Sequence, residues 1–122
     1  MGRGIEQNAE CYYPIIKQGL KLSSMLWAPA DNEVLDVDSP PLLLMNPAGA
    51  VDILLPTSNA ANAGLTFVVF NVSASTITFK TDGDAAFTTA IALATLEGTI
   101  LFCTGHATQA LGWRALATAL SS

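Results

Sequence analysis

From residue 40 to residue 117 the chain alternates short apolar runs with clusters of Gly, Asn, Asp and Ser, the rhythm of a domain built from short strands. Residues 41–45 form an apolar run that stops at Asn46-Pro47-Ala48-Gly49, a strong turn signal. In residues 51–55 the period of two puts Val51, Ile53 and Leu55 on one face, and Pro56 ends the strand. Residues 65–72 are β-branched and aromatic, apolar on both faces, which predicts a central strand. Residues 76–80 alternate cleanly, with Ile77 and Phe79 inward and the threonines outward, and Thr81-Asp82-Gly83-Asp84 reads as a hairpin-type turn. Residues 99–104 are a further strand, opened by Glu97-Gly98, and residues 112–116 are the last. Two segments stay open. Residues 57–63 fit one helical turn or a surface loop, and residues 85–96 fit a short helix or a strand. No internal repeat or low-complexity segment is evident.

Residues 1–39 have a different texture. They are irregular, and hold much of the scattered charge together with Tyr12, Tyr13 and Trp27. The reading is therefore an all-β chain: a single β-sandwich or jelly-roll-like domain of short antiparallel strands over residues 40–122. Residues 1–39 serve either as an N-terminal arm or as its first strands.

Composition changes this picture in one respect. Charged residues are 12% of the chain and hydrophobic residues 51%, against about 25% charged in ordinary soluble domains. So little charge leaves much of the outside to be covered by small polar residues or by partners. The net charge is −5, and the five basic residues, Arg3, Lys17, Lys21, Lys80 and Arg114, form no cluster. Neither nucleic acid nor an anionic membrane is an expected partner. No apolar run approaches the ~20 residues of a membrane-spanning helix. The first residues show neither a signal peptide nor the Ser or Thr at position 6 that myristoylation favours, since Glu6 stands there. Cys11 and Cys103 read as reduced, buried thiols, or else as one disulfide.

The search for chemistry returns little. The single histidine, His106, lies in a loop-like Gly105-His106-Ala107 segment, and no G-x-S-x-G elbow accompanies it. Cys103 and His106 alone cannot complete a zinc site. Asp36/Asp38 and Asp82/Asp84 have calcium-like spacing but lack the further oxygen ligands of a binding loop. No phosphate-cradling glycine motif is found. Asn71-Val72-Ser73 matches a glycosylation sequon, at a strand end. Trp27 and Trp113 are read as core or anchoring residues in preference to sugar-stacking platforms. The expectation is a protein that is not an enzyme, with no catalytic residues, metal or cofactor and no small-molecule substrate.

One resemblance gathers these pieces. Val51-Asp52-Ile53-Leu54-Leu55-Pro56, a polar spacer closing in Ala63-Gly64, and Gly64-Leu65-Thr66-Phe67-Val68-Val69-Phe70-Asn71 occur in that order. Thr76-Ile77-Thr78-Phe79, Leu96-Glu97-Gly98 and Gly112-Trp113 follow. Together they resemble a module of tailed-bacteriophage structural proteins, found in head decoration or cement proteins and in tail-fibre and spike domains. The resemblance implies a virion structural protein on the capsid exterior, assembled in the host cytoplasm. Its partners would be the major capsid protein and copies of itself, as a dimer or trimer. As an arm, residues 1–39 would offer Tyr12, Tyr13, Ile15, Ile16 and Trp27 as anchors for pockets on neighbouring subunits. A tail-fibre or spike component, or a cellular carbohydrate-binding β-sandwich module, is the alternative.

Overall fold

The computed structural model describes residues 21–116. The chain is all-β over that range, with nine strands and two single 3-10 turns. The strands are β1 (Ser24–Trp27), β2 (Glu33–Val34), β3 (Leu42–Met45), β4 (Val51–Leu54), β5 (Thr66–Asn71), β6 (Ile77–Lys80), β7 (Ile91–Leu93), β8 (Gly98–Cys103) and β9 (Trp113–Ala115). A five-stranded first sheet has the order β1-β3-β5-β8-β9, and a four-stranded second sheet has the order β2-β4-β6-β7.

From β1 to β6 each strand is followed by one in the other sheet, so that the chain winds between the two layers. Successive strands of one sheet then run the same way, and β1–β3, β3–β5, β2–β4 and β4–β6 are all parallel. Only beyond β6 does the chain reverse, with β6–β7, β5–β8 and β8–β9 antiparallel. The expected set of short antiparallel strands is thus corrected: most pairings among the described residues are parallel. The cause lies in the connections. The Asn46-Pro47-Ala48-Gly49 turn does not fold β4 back beside β3; it carries the chain across to the second sheet. A parallel neighbour has to be reached by a crossover, and here the strand in the opposite layer supplies it.

The inward faces of both sheets meet in one hydrophobic cluster. The first sheet contributes Leu43, Met45, Phe67, Val69, Leu101, Cys103 and Trp113; the second contributes Val51, Ile53, Ile77, Phe79, Ile91 and Leu93. Alternation along each strand sets this side: β8 reads exposed-buried throughout, and Ile77 and Phe79 are buried as their spacing predicts. Trp113 stacks on Phe67 with ring centroids 5.9 Å apart, and its indole N–H donates to the Pro56 carbonyl at 2.9 Å. That bond satisfies the polar edge of a fully buried ring.

A buried asparagine joins the layers. The side-chain amide of Asn71 donates to the carbonyls of Ser75, Leu93 and Ala94, and its oxygen accepts from the Ser73 amide and hydroxyl. The end of β5 is thereby tied to the turns that lead into β6 and out of β7. With Asn71 fully buried in this knot, the sequon nitrogen has no room for a glycan.

Candidate docking face

The two sheets differ sharply on their outward sides. In the first sheet, register aligns outward positions in rows across the strands. Leu26, Leu44, Phe70 and Gly98 form one row, and Ser24, Leu42, Val68 and Ile100 the next. Thr66, Phe102 and Arg114 form a third. The result is a continuous apolar surface, whose most exposed members are Leu26 at 71% and Ile100 and Phe102 at 36% each. Arg114, at the margin, is the one charged side chain among these outward strand positions. Gly98 is part of the surface. A Cβ there would stand 2.7 Å from Phe70 Cδ1, so the absence of a side chain lets the Phe70 ring lie across the neighbouring strand.

The outward side of the second sheet mixes charged and polar positions with apolar ones. Register brings Asp52, Thr78 and Ala92 into one row and Val34, Leu54 and Lys80 into another. Lys80 pairs with Asp52 at 3.1 Å and reaches Asp84 at 4.0 Å. The hydrogen bond and charge of Asp52 hold the Lys80 ammonium pKa above the usual lysine value near 10.5. Asp31 accepts from the Asp52 backbone amide at 2.7 Å, and Asp82 accepts from the Thr57 hydroxyl. Acidic groups therefore gather around the second sheet while the first sheet presents hydrocarbon.

The turn leading into β8 carries a further exposed leucine. Leu96 has φ 61 and is 68% exposed. A leucine in the left-handed region costs about 1–2 kcal/mol, and this one recovers little of that by burial within its own chain. Internal hydrogen bonds hold the turn: the Leu96 amide donates to the Asn71 carbonyl at 2.9 Å and the Glu97 amide to the Ala94 carbonyl at 3.2 Å.

The residues singled out from sequence fall as follows. Trp27 lies on the inward side of β1, half-buried and packed against the core. Tyr12, Tyr13, Ile15 and Ile16 lie outside the described residues. Trp113 is 1% exposed, inside the core. His106 is exposed, and its Nδ1 accepts from the Thr108 amide at 2.9 Å. Cys103 is buried with Sγ 3.5 Å from the Ser58 hydroxyl. Asp36 uses its carboxylate on the Asp38 amide within its own turn, and Asp82 and Asp84 flank a turn in which Asp84 has φ 64. Among the described residues no three His, Cys, Asp or Glu side chains converge on a point. No helix among them is long and apolar enough to cross a membrane. A shallow cleft of about 260 Å³ opens beside β7 and β9, lined by Thr89, Ala90, Ala92, Arg114 and Leu116. Arg114 is its only ionisable side chain.

The apolar face itself was not singled out from sequence, although a signal for it was present. Residues 65–72 are apolar on both sides, which predicts a central strand. β5 is central, yet its second apolar side, Val68 and Phe70, faces away from the core. No protein-family model, curated protein or solved structure matches the chain.

Proposed function

We propose that the chain is a virion structural protein, a capsid decoration protein that lays the outward side of its first sheet on the shell of the major capsid protein. The two sheets are read as a β-sandwich whose layers have separate tasks. One observation carries the proposal: the continuous apolar surface of Leu26, Leu42, Leu44, Val68, Phe70, Ile100 and Phe102, on a molecule whose opposite side is charged. Exposed apolar patches beyond a few hundred Å² are uncommon on monomers and mark binding surfaces. A charge-poor strip suits a lattice of flat protein surface better than it suits nucleic acid or a soluble sugar.

The mechanism asked of such a face is binding alone. A subunit that binds the assembled shell and not its dissociated parts stabilises the shell by mass action, by about 2.7 kcal/mol per site at a hundredfold excess over Kd. The acidic second sheet, turned outward, keeps the coated particle soluble. Electron cryomicroscopy of the virion tests the proposal. The expected image has the chain on the head exterior, first sheet against the shell. A chain found only on the tail, or seated on its second sheet, contradicts it.

A further inference from the structure

Two cations on the strands are placed in opposite surroundings. Lys80, on the second sheet, has Asp52 at 3.1 Å and Asp84 at 4.0 Å. Arg114, on the first, is exposed, and among the described residues no carboxylate lies within ion-pair distance of it. Its own row holds Thr66 and Phe102. The cleft on its other side, between β7 and β9, has no second ionisable side chain in its lining. This happens in a chain where Asp and Glu outnumber Lys and Arg by ten to five.

A cation at the margin of an apolar face matters once that face is covered. Taking a guanidinium out of water is costly unless an anion meets it. We propose that the protein surface seated on the first sheet carries an aspartate or glutamate opposite Arg114, and that this ion pair sets the orientation of docking. The inference rests on the docking reading above and adds the chemistry of the partner. Hydrophobic contact is non-directional, so the apolar rows from Leu26 to Phe102 supply adhesion without a preferred rotation. β9 lies two strands from the central β5, about 10 Å at the usual strand spacing. A charge pair so far off centre is satisfied in one rotation of the sheet on its partner and broken in the others.

The guanidinium suits a carboxylate, which it can grip through two parallel N–H···O bonds. Phosphate shares that geometry, but a nucleic-acid backbone is held by clustered cations. Arg114 is the one charge among the outward strand positions of its sheet, on a chain of net charge −5. One cation within hydrocarbon matches one acidic side chain within a protein surface.

The test is co-sedimentation of the full-length chain with capsid shells. Arg114→Met keeps the apolar stem and removes the charge. It is expected to bind about tenfold more weakly than wild type. Wild-type binding is expected to weaken from about 0.05 to 0.5 M salt, and Arg114→Met binding to respond little. Arg114→Lys keeps the charge without the planar fork and is expected to fall between them. Lys80→Met, an equal loss of charge on the second sheet, is expected to bind as wild type does. If Arg114→Met binds as tightly as wild type with the same salt response, the inference is overturned and the docking reading stands. Wild-type chain that does not bind shells overturns both. A salt-dependent fall in the melting temperature of Arg114→Met without any shell places the counter-charge within the chain, and overturns the inference alone.

Discussion

Single residues in this chain separate stability from binding. Asn71 makes five side-chain hydrogen bonds while fully buried, so Asn71→Ala leaves several carbonyls without donors. Its cost is expected to be about 2–4 kcal/mol by urea denaturation, because each buried unsatisfied group costs about 1–3 kcal/mol. Leu96 works the opposite way. Leu96→Gly relieves a left-handed φ of 61 and is expected to raise stability by up to about 1 kcal/mol. The same change removes an exposed apolar side chain and, on the proposed function, is expected to weaken binding to a capsid shell. A variant that loses both stability and binding would point to a folding role for Leu96. Lys80 gives a pH signature. Its folded pKa is raised above 10.5, chiefly by the hydrogen bond and charge of Asp52. The stability from that shift is present in full below 10.5 and is lost as the pH rises through the folded value. The melting-temperature gap between wild type and Lys80→Met is therefore expected to hold from about pH 6 to 9 and to close at more alkaline pH.

At the scale of the element, β8 shows the two roles side by side. Leu101 points into the core at 0% exposure and Phe102 points out at 36%. Leu101→Ala is expected to cost about 2–5 kcal/mol, and Phe102→Ala less than about 1 kcal/mol, both measured by denaturation. The strands were largely legible in the sequence, because alternation fixes which side is buried: Val51, Ile53, Leu55, Ile77 and Phe79 all lie where their spacing puts them. The pairing was not. A turn such as Asn46-Pro47-Ala48-Gly49 marks a change of direction without saying whether the chain returns beside itself or crosses to the other layer. β1 and β2 were hidden for another reason. Ser24–Trp27 and Glu33–Val34 are too short for a period to stand out, and they form strands only because β3 and β4 offer them an edge. The winding also gives no regular repeat. Ser24 pairs with Leu42 and Leu42 with Val68, so successive coils differ in length and no fixed spacing recurs.

At the scale of the molecule, the described residues form two layers with unlike exteriors. Among the described residues Asp31, Glu33, Asp52, Lys80, Asp82 and Asp84 lie on and around the second sheet, while the outward strand positions of the first sheet carry only Arg114. Composition showed how little charge the chain carries but not where the apolar surface lies, since that depends on register across five strands. On the proposed function the docking surface is the outward side of the first sheet, and co-sedimentation with capsid shells will depend on that side alone. Ile100→Glu/Phe102→Glu changes that side, and Thr78→Glu/Ala92→Glu makes an equal change of charge on the other. The first pair is expected to abolish co-sedimentation while the second leaves it at the wild-type level, with both chains folded. Equal binding by the two variants, or loss in the second alone, would contradict it.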